Sequence, residues 1–288
     1  MFQGILRFLP NCLLIDLPMH ASKIFTIFLL SLILSACSVF KDKDTIDLNA
    51  SAKTLYTQAK KELDSGNYEK AIKRYEALQA RYPYGKYSQQ AGLELAFAYY
   101  KYEEPAPAIA AADRFIKLYP THPYVDYAYY LKGLADFKDK TNFLERVFNS
   151  YDFSDRDPSA ALDSFDAFSE LVERYPNSDY AEDARLRMAF ILESLAVHEI
   201  KVAQWYLKIE AYVAAANRAK FVLDNYDRTT SIEDALGLLA TVYPKMGLQK
   251  LGEDNLRILK LNFPESRYIK GAEKSLAEAL AATQDSAG

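Results

Sequence analysis

The sequence predicts an all-α protein, an α-α superhelix of about five helix pairs, and three observations predict it. From Ser51 onward, helix-length stretches with apolar residues three and four positions apart alternate with short breaks. Four of the five breaks that close a pair carry an aromatic residue followed by proline: Tyr82-Pro83, Tyr119-Pro120, Tyr175-Pro176 and Phe263-Pro264. Proline lacks the amide a helix needs and clashes with the preceding turn, so each such break ends a helix. Glycine and proline number only 10 and 11 in 288 residues, which disfavours a turn-rich β fold and leaves room for long helices.

The first pair sets the pattern. Ala52 to Leu63 places Leu55, Tyr56, Ala59 and Leu63 on one stripe, and Asp64-Ser65-Gly66-Asn67 breaks it. Tyr68 to Tyr82 then offers Ala71, Ile72, Tyr75 and Leu78 before Pro83, so the Gly-Asn turn folds the second helix onto the first. In order, Gly66, Tyr68, Ala71, Tyr75, Leu78 and Pro83 resemble the tetratricopeptide repeat, and the five pairs are read as tetratricopeptide-like. Counting back from Pro120 gives Pro105, Ala108, Ala112 and Phe115, with Leu95, Ala96 and Tyr99 on the helix before. Pro176 gives Ala161, Ser164, Phe168 and Leu171, with Gly133 at a close crossing. A fourth pair ends at Asn225-Tyr226-Asp227 without proline and uses Tyr212, Ala215, Ala219 and Val222; the fifth uses Gln249, Gly252, Leu256 and Leu259. Small residues recur where helix axes must approach, and large ones recur a turn later to fill the space beside the crossing.

Pro83 and Pro120 stand 37 positions apart, but Pro120 and Pro176 stand 56 apart. The surplus is assigned to an insertion at residues 139–158, read as a side loop. The expected organisation is N-terminal repeats over 51–138, the insertion, C-terminal repeats over 159–270 and a tail over 271–288. A long helix is expected between Asp179 and Tyr212, because Ala184 to Tyr206 contains no glycine or proline.

The start of the chain reads as an address. Ile24 to Leu34 is an apolar run behind Lys23, too short to span hydrocarbon and of the size of a signal-peptide core. Residues 1–36 are therefore read as a signal region, and Met19, in MHASK, is the expected true start because it gives a compact basic n-region. Leu34-Ser35-Ala36-Cys37 resembles the bacterial lipobox, which implies cleavage before Cys37 and its acylation. Each buried methylene contributes about 0.8 kcal/mol, so two or three chains are needed to hold durably. Ser38 follows, where an inner-membrane retention signal has aspartate, so the resemblance implies an outer-membrane lipoprotein with residues 37–50 as lipidated N-terminus and tether.

No catalytic constellation is visible. The cysteines are Cys12 and Cys37, leaving the body without a thiol, and His122 and His198 lie far apart. His122, in Thr121-His122-Pro123, suits a turn at a helix start, and His198 suits a helix surface or seam. Neither a cofactor, a metal nor an enzymatic reaction is expected, and a formal charge of -4 does not suggest a nucleic-acid partner.

Aromatics are the unusual component: 22 tyrosines and 16 phenylalanines against one tryptophan. Tyrosine rings suit both a protein-binding groove and the seams between helices, and the sequence leaves open which ring does which. Candidate groove residues are Tyr56, Tyr68, Tyr87, Tyr99, Tyr100 and Tyr124, with Tyr84, Tyr102, Lys60, Arg81 and Lys86 nearby.

Three strings narrow the reading: GNYEKAIKRYEALQARYPYGKYSQQAGLELAFAYYK from Gly66, RFIKLYPTHPYVDYAYYLKG from Arg114, and YVAAANRAKFVLDNY from Tyr212. With the lipobox, they resemble the BamD (ComL) family of lipoproteins of the outer-membrane β-barrel assembly machinery, over essentially the whole processed chain. The resemblance implies a non-catalytic, lipid-anchored subunit on the periplasmic face of the outer membrane. It implies N-terminal repeats that bind unfolded outer-membrane proteins and C-terminal repeats that dock to the barrel-forming subunit and accessory lipoproteins. It also implies that Asn217-Arg218 makes the contact with the barrel-forming subunit, a duty that suits a forked guanidinium. The competing expectation is a lipidated repeat scaffold for another cell-envelope complex.

Overall fold

A computed structural model describes residues 46–47, 49–137 and 158–287. The signal region 1–36, Cys37, most of the 37–50 tether and insertion residues 139–157 lie outside the described residues. The chain divides into one unit of Met1–Asp47 and another of Leu48–Gly288, and the helical body is the second.

The body is all-helical among the described residues. Its helices are α1 (Ala52–Asp64), α2 (Tyr68–Arg81), α3 (Lys86–Lys101), α4 (Pro105–Leu118), α5 (Val125–Asp136) and α6 (Pro158–Arg174). They are followed by α7 (Ala181–Lys208), α8 (Tyr212–Asn225), α9 (Ile232–Lys245), α10 (Gln249–Asn262) and α11 (Ile269–Ala287). Each helix packs on the next, giving five pairs, and α11 covers the last pair by packing on both α9 and α10. The first helices of successive pairs also touch, α1 on α3, α3 on α5 and α7 on α9, so they form the inner wall of an α-α superhelix.

One device turns the chain inside four of the pairs. Gly66, Glu103, Glu210 and Gly247 all have left-handed backbone, with φ of 76°, 64°, 60° and 77°. Each stands two residues beyond its helix, and the next amide reaches back to a carbonyl in the last turn. These bonds run from Asn67 to Glu62, Glu104 to Tyr99, Ala211 to Tyr206 and Leu248 to Tyr243. The left-handed cap satisfies helix-end carbonyls that would otherwise lack donors. Glycine adopts this conformation freely, whereas the two glutamates are held in it against a steric cost. The second helices end alike: the amides of Tyr82, Tyr119, Tyr175, Tyr226 and Phe263 each donate to the carbonyl four residues back.

The core changes character along the body. Around α3 to α7 it is aromatic, with Phe115, Tyr129, Phe137 and Phe168 buried among aliphatic residues. Around α7 to α9 it is built from Ala196, Ala203, Ala215, Ala216, Ala219 and Ala235 with Val222, Leu239 and Val242. The expected close crossing at Gly133 is present: a Cβ there would lie 2.5 Å from the Phe168 ring, and Ser164 Oγ donates to the Gly133 carbonyl at 2.8 Å.

Three boundaries differ from expectation. Pro158, assigned to the insertion, is the first residue of α6, where its missing amide costs nothing. The expected 271–288 tail is helical through Ala287, because Ala272, Ser275 and Leu276 are buried against the last pair, whose apolar face needs a cover. The long helix α7 spans 28 residues and stops at Lys208, short of Tyr212, where Glu210 takes the left-handed turn.

Candidate protein-binding surfaces

The inner wall formed by α1, α3 and α5 carries a groove of about 810 Å³. Lys60 and Leu63 line it from α1, Lys86, Gln90, Leu93, Glu94 and Phe97 from α3, and Tyr127 from α5, with Tyr68, His122 and Tyr124 beside them. Helical periodicity selects these residues, since positions three and four apart share the inward stripe. Tyr124 is 61% exposed at the edge of the groove.

Glu94 organises the wall. Its carboxylate accepts hydrogen bonds from the Tyr56 hydroxyl at 2.8 Å and from the buried Tyr75 hydroxyl, and Lys60 Nζ lies 3.7 Å away. Burial first, and the Glu94 carboxylate second, push both phenols well above the ordinary tyrosine range, so both remain donors. The Tyr56 ring centre is 5.5 Å from that of Tyr87, and Lys86 Nζ sits 5.1 Å from the Tyr87 ring centre. Lys60 also pairs with Asp64 at 3.1 Å.

The six candidate tyrosines therefore divide. Tyr68 and Tyr124 line the groove, and Tyr56 and Tyr87 stand together where α1 meets α3. Tyr99 lies in a different cavity, of about 500 Å³, with Glu76, Gln79, Pro107 and Arg114. Its hydroxyl donates to Glu76 at 2.5 Å, and burial with that carboxylate pushes its pKa up to about 12. Tyr100 packs, partly buried, against the aromatic core. Glu94, Phe97, His122 and Tyr127 were not among the candidate groove residues. Glu94 had a signal, a lone carboxylate between Leu93 and Leu95. His122 holds the expected turn, accepting from the Tyr124 amide at 3.2 Å, while its ring meets Phe115 and Tyr124 with centres 5.0 and 5.8 Å away.

The second surface is the outer face of α8. Asn217 and Arg218 are exposed there. Arg218 Nη1 donates to both carboxylate oxygens of Glu199 on α7, at 3.2 and 3.0 Å. The Glu199 side chain is only 13% exposed, against 47% for Arg218. Val213 and Phe221, one turn either side of Asn217, are exposed as well.

Among the described residues, no group of three or more His, Cys, Asp or Glu side chains could hold a metal ion. No described helix is long and apolar enough to cross a membrane. Cys37 lies outside the described residues.

A family model described as an outer membrane lipoprotein (YfiO) matches residues 48–259. The chain is similar to the outer membrane protein assembly factor BamD of Neisseria meningitidis serogroup B, 44% identical over 251 residues that cover 86% of this chain and 94% of that one. The protein of that name from Xylella fastidiosa is 38% identical over 217 residues, covering 75% of this chain and 74% of its own. The one from Vibrio cholerae is 38% identical over 208 residues, covering 72% and 86%.

Proposed function

This chain belongs to the BamD family of outer-membrane protein assembly factors, and we propose that in that assembly it works without catalysis, as a scaffold with two protein-binding faces. The α1–α3–α5 groove receives unfolded outer-membrane proteins. The α8 face around Asn217 and Arg218 docks to the barrel-forming subunit, with accessory lipoproteins bound alongside. Acylated Cys37 holds the scaffold at the periplasmic face of the outer membrane.

The observation that carries the substrate reading is the groove itself: an inner wall with Tyr68, Phe97 and a largely exposed Tyr124, flanked by Lys60 and Lys86. An unfolded barrel strand alternates apolar and polar side chains and has unpaired amides and carbonyls. Aromatic faces shield the apolar side chains, while tyrosine hydroxyls and lysine ammonium groups meet the polar groups and the carbonyls. Contacts of this kind are individually weak, which suits release once strand pairing begins.

A photo-crosslinking residue at Tyr68 or Tyr124 should label barrel-derived peptides, and the same residue at Tyr99 should label several-fold less. Equal labelling at all three positions, or labelling at Tyr99 alone, moves the substrate out of this groove.

A further inference from the structure

We propose that the edge of the body formed by the first two aromatic-proline breaks is a second membrane contact, which settles on phospholipid headgroups beside the lipid anchor and orients the scaffold. The inference rests on the reading of Cys37 as the acylated residue and adds what the protein surface does once that anchor is in place.

Helices alternate in direction through the pairs, so the breaks that close the pairs lie along one edge of the superhelix. These breaks differ in charge. Residues 175–180, 226–231 and 263–268 contain Asp179, Asp227 and Glu265, whereas residues 82–85 and 119–124 contain no acidic residue. Lys53, Arg81, Lys86 and Lys117 stand around these first two breaks, and none of the four has a carboxylate at ion-pair distance among the described residues. Asp126, at the start of α5, is already engaged by Ser178 Oγ at 2.7 Å. The same edge carries Tyr84, 89% exposed and the most exposed large hydrophobic side chain described, and Leu118, 59% exposed. A ring with an apolar body and a wet hydroxyl, set among unpaired cations, suits the boundary between headgroups and water.

The point where the chain enters the body selects lipid as the occupant. Tyr82 Oη, in the first break, donates to the Ala50 carbonyl at 3.0 Å, so the body is entered from this edge. Cys37 and Ala50 stand 13 positions apart, a reach of at most about 45 Å. An edge tethered so close to a bilayer meets headgroups at high effective concentration, so a few cations and one ring suffice although each contact is weak. Lys86 belongs to this edge and also lines the α1–α3–α5 groove, so the contact opens the groove beside the membrane surface.

The test uses the full-length acylated chain in vesicles of phosphatidylethanolamine and phosphatidylglycerol, brominated near the headgroup so that they quench a nearby indole. Trp205, the one tryptophan, stands in the last turn of α7, at the opposite edge, and is the distal probe. Tyr84→Trp in a Trp205→Phe background should be quenched at least threefold more than Trp205 of the parent. Replacing Lys53, Arg81 and Lys117 together by glutamine should remove at least half of that excess, and high salt should do the same by screening the charges. All three side chains are exposed, so the melting temperature should stay that of the parent. Quenching at position 84 no greater than at 205, on vesicles that carry the chain when floated, overturns the inference and leaves the edge to a protein partner. So does an excess that survives both neutralisation and salt. A chain that does not float with the vesicles instead removes the anchor reading, and the inference with it.

Discussion

The N-terminal and C-terminal halves share one pair geometry and expose different chemistry. Before residue 130 the exposed large hydrophobics are Tyr84, Tyr102, Tyr124 and Leu118, three of them tyrosines. Beyond residue 200 they are Trp205, Ile209, Val213, Phe221, Leu248, Leu251, Ile258, Leu261 and Leu280, mostly aliphatic. The interior changes too, from an aromatic core around α3 to α7 to an alanine-rich one in α7 to α9. Exposed tyrosine keeps a hydroxyl in water and tolerates brief contacts, whereas exposed aliphatic side chains gain mainly by staying covered. The proposed division, transient substrate contacts in one half and lasting subunit contacts in the other, would draw on this contrast.

The polar pairs sharpen it. Glu94 faces inward and holds two phenols from neighbouring helices, whereas Arg218 faces outward with donors to spare. The largest effect is therefore expected at Glu94. Glu94→Ala leaves the buried Tyr75 hydroxyl and the Tyr56 hydroxyl without their acceptor, and should cost about 2–3 kcal/mol in urea unfolding. A loss under about 0.5 kcal/mol would mean that the inner wall is not braced by this carboxylate. Arg218→Ala should cost less, roughly 1–2 kcal/mol, because solvent screens its half-exposed end while Glu199 loses a counter-ion. Equal losses at the two sites would erase the distinction between brace and outward contact.

How far the sequence carries depends on how local each cause is. Helix pairs, their aromatic-proline ends and the crossing at Gly133 were legible, because period, breaker and size act over a few residues. The left-handed turns at Glu103 and Glu210 were not, since neither carries the glycine that marks Gly66 and Gly247. Their signal lay in alignment alone, with Tyr102-Glu103-Glu104 standing where Ser65-Gly66-Asn67 stands in the first pair. Tyrosine roles were legible only in part. Tyr99 and Tyr100 are adjacent in sequence but point about 100° apart on a helix, one into the Glu76 cavity and one into the core. Which direction is inward depends on how successive pairs stack. Glu94 carries a usable sign, a lone carboxylate within an apolar stretch of a pair's first helix, whereas Glu199, between His198 and Lys201 on α7, carries none.

The smallest effect is expected between the halves, at Asp136. It ends α5, where the carbonyl end of the helix disfavours negative charge. Burial, then the Asp163 charge, raises its pKa to about 6 from 3.8, with Asp113 adding to the rise and Lys132 opposing it. Lys132 is itself engaged with Asp113 at 3.0 Å. A carboxyl whose folded pKa lies above its unfolded value favours the folded state in its protonated form. Its contribution is complete below pH 3.8 and is lost as pH rises through about 6. Asp136→Asn should therefore stabilise the chain above pH 7 by roughly 1 kcal/mol or less, the shift being discounted for partial exposure. The gain should shrink through pH 6 and vanish near pH 4, read as the difference in urea midpoint between variant and parent. A gain that persists unchanged at pH 4 would trace to packing and not to charge. The junction between the two halves would then be no more sensitive to protonation than the surfaces on either side.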